Sequence, residues 1–255
     1  MSTNEHRPTA RILDILEALA DSKNGYTLTE IANAIGAPKS SIFPIVHTLH
    51  DRRYISFDNN TSKYSIGILT HTIGSTFSKK DNVVAFIDTE MKHIVEISSE
   101  ACQMALLDGN EVLYTSKVDS PQPISLISDV GKKLPANCTA LGKALLCDLD
   151  KNELIGLFPN GLAKLTENSI TDIDVLYEQL LEIRDTQIAN EVEESTEYST
   201  CYAVPLRKNN RINAALSVTL PIFRADTEKI DLIKNLLLEA QQRIQSIMIE
   251  RNEEI

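Results

Sequence analysis

The side chains best suited to chemistry lie between positions 39 and 63, and the chemistry they suit is contact with nucleic acid. Lys39, Ser40 and Ser41 begin a stretch of helical spacing, Phe43 and His47 follow along it, Arg52 and Arg53 stand at its end, and Lys63 comes shortly after. On a helix lying in a major groove, the early side chains Lys39, Ser40, Ser41, Phe43 and His47 reach base edges. The later cations Arg52, Arg53 and Lys63 approach the phosphates, where they add affinity without reading sequence. Arg7, just ahead of the first helical stretch, has the reach of a minor-groove arm. Thr27, at the start of the second stretch, joins the expected DNA-contacting set. A plainer reading leaves Lys39 and Lys63 solvated and gives Ser40 or Ser41 a capping role.

Enzymatic chemistry lacks its usual constellations. The cysteines Cys102, Cys138, Cys147 and Cys201 are scattered without a C-x-x-C pair, and His93 is the only histidine beyond residue 80. No H-E-x-x-H or G-x-S-x-G spacing occurs, so neither a zinc protease nor a nucleophile elbow is indicated. The expectation is therefore no catalytic set, no metal site and no cofactor. Widely spaced thiols read as reduced, in a cytoplasmic protein. No apolar run approaches the ~20 residues that span a bilayer, and the polar stretch Met1 to Arg11 has no signal-peptide core.

Helices and turns position these residues. At 255 residues the chain suits two domains. Residues 9–21 carry Ile12, Ile15, Leu16 and Leu19 at helical spacing. Thr27 and Glu30 form a capping box for a second helix bearing Leu28, Ile31, Ala32 and Ile35, which stops at Gly36. Pro38 opens a third helix, to about Arg52, with Ile42, Ile45, Val46 and Leu49 inward. Two short strands, 54–58 and 64–66, complete the order of a winged helix-turn-helix. Pro44 falls inside the third helix, where proline costs roughly 3 kcal/mol. The expectation is that this helix starts late, with Ser41 as its cap, or kinks. Beyond a linker helix at 68–81, the body reads as a helix at 82–99, a hairpin of strands 101–107 and 111–118 around Asp108-Gly109-Asn110, and helical segments within 138–157. A D-x-x-E cap stands at Asp150. A helix at 171–186, strands 200–207 and 212–220, and a final helix 226–250 follow. Helices flanking hairpins give an α+β fold, with domains at 1–67 and 82–255.

The charge is divided in the same way. The net charge is −11, which argues against nucleic acid until its distribution is considered. Residues 1–80 hold nine Lys and Arg against seven Asp and Glu, an excess of +2, leaving −13 on the remainder. A mildly basic head on an acidic body fits a chain of which one module meets phosphates.

In the head, Leu28-Thr-Glu-Ile-Ala, Pro38-Lys-Ser-Ser-Ile and Lys63-Tyr-Ser-Ile-Gly67 stand in order. In the body come Gly131-Lys-Lys-Leu-Pro135, Thr139-Ala-Leu-Gly-Lys-Ala144, Glu193-Glu194, Cys201-x-Ala-x-Pro205 and Ala214-Ala-Leu-Ser-Val218. With these blocks the chain resembles the IclR-type transcriptional regulators, named for the isocitrate lyase regulator, from about Thr9 to Arg224. The resemblance implies a GAF-like effector-binding domain, a homodimer that often pairs into a homotetramer, operator DNA as partner, and control by a small organic acid or sugar derivative. It also implies a pocket from Leu126, Leu134, Ala140, Leu141, Glu191, Cys201, Ser217 and Thr219. Apolar walls with a few hydroxyls and one carboxylate are how a pocket fixes a polar ligand, although the leucines also suit a plain core and Cys201 a small buried hydrophobe. The helix starting near Thr139 can point amides at an anion.

Three positions depart from the family pattern. Asn137 stands where His or Tyr is common, Tyr198 replaces a usual glycine, and Ser199 replaces an apolar residue. Many relatives also carry arginine in place of Pro44. The run Glu191, Glu193, Glu194 and Glu197 reads either as negative charge at a pocket mouth or as a solvated loop. The resulting expectation is a repressor-like regulator whose dimer sets two third helices in successive major grooves. The alternative is a metabolite-sensing or interaction module that has lost DNA binding, with Pro44 as the lesion.

Overall fold

The structure is a computed structural model and describes residues 6–80, 82–124 and 129–252, with side chains outside the description at 75–82. It divides into two compact units, Met1–Lys80 and Asp81–Ile255. The first contains α1 (Arg7–Ala20), α2 (Leu28–Ala34), α3 (Lys39–Asp51), β1 (Ile55–Asp58), β2 (Lys63–Ile66) and α4 (Ile68–Lys80). The Thr27–Glu30 capping box forms in full at the start of α2. β1 and β2 pair antiparallel, Ile55 opposite Ile66 and Asp58 opposite Lys63. Ile15, Leu19, Ile31, Ile42, Val46, Leu49 and Ile55 close one small core. Ile12, which shares the helical spacing of Ile15 and Leu19 in α1, is 36% exposed.

The α3 helix corrects one expectation. It begins at Lys39 with Pro38 as its cap and runs unbroken through Pro44 to Asp51, so Ser41 does not cap a late start. Ser41 Oγ donates instead to the Pro38 carbonyl at 2.7 Å. Proline at position 44 withdraws the N–H that would reach the Ser40 carbonyl. Ser40 and Pro44 are both exposed, so water can serve the orphaned acceptor and the helix continues.

The second unit contains α5 (Asn82–Ser98), β3 (Ala101–Asp108), β4 (Glu111–Val118), β5 (Lys133–Pro135), α6 (Ala140–Leu146), α7 (Lys151–Leu157), α8 (Ile173–Thr186), β6 (Ala189–Val192), β7 (Ser199–Lys208), β8 (Arg211–Pro221) and α9 (Thr227–Arg251). Six strands form one antiparallel sheet in the order β5-β4-β3-β8-β7-β6. The β7–β8 turn holds Asn209 and Asn210 in succession at φ 52° and 59°, the left-handed pair that matches hairpin twist. Its two faces are packed differently. Met104, Val204, Leu206, Leu216, Val218 and Leu220 meet Ile87, Met91 and Ile94 of α5 and Ile233, Leu237 and Ile244 of α9. On the other face Ala105, Ala189, Ala203 and Ala215 admit α6 and α8 closely, through Leu141, Ala144, Leu145, Leu176 and Leu180. The expected strands and long helices of the body lie within two residues of the observed ones. β5 and β6 were not anticipated: three- and four-residue edge strands are too short to show a period.

Candidate DNA-binding face and effector site

Burial of Ile42, Val46 and Leu49 decides which side of α3 faces solvent. Lys39, Phe43, His47 and Asp51 recur every fourth residue and form one exposed column, as the helical repeat requires. Phe43 is 53% exposed, and its ring lies 6.2 Å from that of His47. Arg52 and Arg53 are exposed at the helix end, and Arg53 adopts φ 62°. Ser40 is exposed, while Ser41 is half-buried with its hydroxyl engaged locally. Lys63 is half-buried on β2. Thr27 and Arg7 both stand at helix starts. Thr27 Oγ1 accepts the Glu30 amide at 3.3 Å, and Glu30 Oε2 accepts the Thr27 amide at 2.7 Å, so Thr27 serves as a cap. The Thr27 amide, and then the Thr27 hydroxyl, hold the Glu30 carboxyl below its usual range. Arg7 is the first residue of α1 and not part of an arm ahead of it.

In the second unit the strand register assembles a polar row. Glu191 stands opposite Cys201, Cys201 opposite Thr219, and Gln103 opposite Ser217. Cys201 Sγ and Thr219 Oγ1 are 3.0 Å apart. Thr219 and Ser217 both donate to Gln103 Oε1, at 3.0 and 3.3 Å. Glu191 is 1% exposed, yet it accepts the amides of Glu194 (2.8 Å) and Ser195 (3.4 Å) and the Ser195 hydroxyl (3.2 Å). Burial pushes its carboxyl up, against those hydrogen bonds. Burial, and then the Glu191 charge, push the Cys201 thiol well above its usual range, which disfavours the thiolate that a nucleophile needs. Tyr114 is raised by burial and then by the same two neighbours. Ala140 and Leu141, in the first turn of α6, are buried, and Leu134 on β5 is half-buried. Leu126 lies outside the described residues. Gln103 and Tyr114 were missed by sequence reasoning, because only strand pairing puts them beside Glu191 and Cys201.

The acidic run is only in part a solvated loop. Glu194 is 6% exposed, and its Oε1 lies 2.5 Å from Nζ of Lys143, which is itself wholly buried. Lys143 Nζ also reaches the Asn190 carbonyl at 3.4 Å. Burial raises the Glu194 carboxyl and Lys143 lowers it, with burial the larger influence. This ion pair bolts α6 to the β6–β7 connection, whose backbone also receives Thr166 Oγ1 at Glu193 and Ser169 Oγ at Glu194. Glu197 remains exposed. Tyr198 is 74% exposed, with its amide donated to Glu193 Oε1. Asn137 is fully buried and donates to the carbonyls of Ala163 and Ile170, at 2.8 and 3.1 Å. The first turn of α6 is partly spoken for as an anion site: Thr139 Oγ1 accepts the Gly142 amide at 2.9 Å, and the helix has seven residues. Among the described residues there is no cluster of metal-ligating side chains, and no helix long and apolar enough to cross a membrane.

Residues 8–59 match the family model described as the IclR helix-turn-helix domain, and residues 76–246 match that of the bacterial transcriptional regulator IclR C-terminal domain. The chain belongs to the IclR family. It is a DNA-binding transcriptional regulator of that family. The IclR-family chain is 24% identical over 240 residues to the HTH-type transcriptional regulator KdgR of Escherichia coli, covering 93% of this chain and 91% of KdgR. It is 26% identical over 249 residues to BhcR of Paracoccus denitrificans, covering 97% and 89%. The transcriptional repressor IclR of Escherichia coli is 24% identical over 247 residues, covering 95% of this chain and 90% of that protein. The crystal structure of an IclR-type regulator from Alicyclobacillus acidocaldarius shares the fold, with TM-score 0.89 at 22% identity, over 95% of this chain and 99% of that one. So does an IclR homologue from Microbacterium hydrocarbonoxydans complexed with 4-hydroxybenzoate, with TM-score 0.82 at 18% identity, over 94% and 99%.

Proposed function

We propose that this chain is a cytoplasmic, metabolite-controlled repressor that acts as a homodimer or homotetramer on a near-palindromic operator and performs no catalysis. The exposed column on α3 carries this reading: Lys39, Phe43 and His47, with Ser40 beside them, read base edges, while Arg52, Arg53 and Lys63 hold phosphates. The row Glu191–Cys201–Thr219, with Ser217, Ala140, Leu141 and Leu134, receives a small carbohydrate-derived or organic acid. Leu126 joins it by family resemblance. A relative complexed with 4-hydroxybenzoate brings aromatic acids into the ligand panel. The ligand alters DNA affinity to the extent that it binds the DNA-competent and DNA-incompetent states unequally. The α3 helix continues through Pro44, as a base-reading helix requires. The test is a gel shift on the DNA upstream of the protein's own gene, at two salt concentrations, with and without candidate acids. Specific retention changed by one acid supports the proposal; absence of specific retention in every condition refutes it.

A further inference from the structure

An acidic side chain on a face that meets phosphates is unfavourable unless its charge is engaged, and Asp51 ends the exposed column of α3. Its two oxygens are turned to imidazoles: Oδ2 lies 2.9 Å from His47 Nδ1 and Oδ1 lies 3.7 Å from His50 Nδ1. His47 is therefore bracketed on its own helix by Phe43 one turn before and Asp51 one turn after. From this geometry we infer that Asp51 is a positioning residue that sets His47 as a single-atom reader of one base pair in each half-site. This rests on the DNA-contacting role of α3 proposed above.

The chemistry follows from the tautomer. With Nδ1–H donated to Asp51, the neutral ring presents Nε2 as an acceptor on the opposite edge. In the major groove an acceptor is matched by the exocyclic amino group of adenine or cytosine, and mismatched with the O6 and N7 acceptors of guanine. Phe43 limits the swing of the ring, so that Nε2 meets one position and not several.

The experiment selects operators from a randomised duplex pool with the full chain and three variants, His47→Ala, Asp51→Ala and Asp51→Asn, all at exposed helical positions. The wild type selects an amine-bearing base at one position of each half-site. His47→Ala and Asp51→Ala lose preference at that same position and no other, with an affinity for the selected operator weaker by about 25-fold, about fivefold for the hydrogen bond lost in each half-site. Asp51→Asn retains an acceptor for Nδ1–H and keeps the preference. Purine in place of the adenine, or pyrimidin-2-one in place of the cytosine, reproduces the loss in the wild type and changes nothing in His47→Ala. If Asp51→Ala shifts affinity equally for all sequences, or if the two alanine variants relax different positions, the inference is overturned. Dependence on guanine N7 overturns the acceptor assignment. A wild type that selects no sequence overturns the α3 reading itself.

Discussion

At the scale of single residues, the informative groups are the carboxylates and the lysine that the fold takes out of water. Lys143 and Glu194 are buried together, and removing one partner leaves an uncompensated charge. Lys143→Ala should lower stability by about 3–5 kcal/mol, while the paired change Lys143→Met with Glu194→Gln should cost much less; urea denaturation of the three proteins checks this. Glu191 carries a pH signature. Its folded carboxyl sits above its ordinary value because of burial, so the folded state binds the proton more tightly than the unfolded chain does. Its contribution to stability is full below the ordinary carboxylate range and falls as pH rises through the folded value. Glu191→Gln should therefore flatten the decline in Tm as pH rises above the ordinary carboxylate range, which a melting series reads directly.

At the scale of elements, two positions show what local sequence can and cannot decide. A side chain at Gly142 would bring its Cβ within 2.0 Å of the Ala136 carbonyl oxygen and 2.4 Å of Ala136 Cα. The glycine lets α6 lie against the turn before it. Gly142→Ala should cost about 2–3 kcal/mol by overpacking and should loosen Ala140 and Leu141 at the proposed site; denaturant titration and effector binding measured together would show both losses. Pro44 is the opposite case, a residue that breaks a local rule without breaking the helix. Pro44→Ala restores an N–H opposite the exposed Ser40 carbonyl and should stabilise the chain by about 1–3 kcal/mol, with retention of operator binding. A stability unchanged or lowered would mean that α3 compensates for the proline elsewhere.

At the scale of the whole molecule, the division of labour is electrostatic. A net −11 chain binds DNA only if its cations are concentrated where contact occurs, and residues 1–80 carry the local excess. If Arg53 of each protomer neutralises one phosphate, Arg53→Ala should weaken binding of the dimer to all sequences alike and reduce the slope of log affinity against log salt by about 1.8, about 0.9 per phosphate; a change confined to one operator would assign it to base reading instead. Much of this architecture was legible in the residues. The 3.6-residue spacing of Ile42, Val46 and Leu49, the Thr27–Glu30 and Asp150–Glu153 boxes and the hairpin turns are interactions between near neighbours in the chain, so residue order alone determined them. The family and its two-domain order were likewise readable from motif blocks. The sheet order and the edge strands β5 and β6 were decided by tertiary structure, as were the polar row from Gln103 to Thr219 and the burial of Lys143 against Glu194. These join residues about 50 to 115 positions apart, and which strands pair is settled by burying a common core, a quantity that no local window of sequence contains.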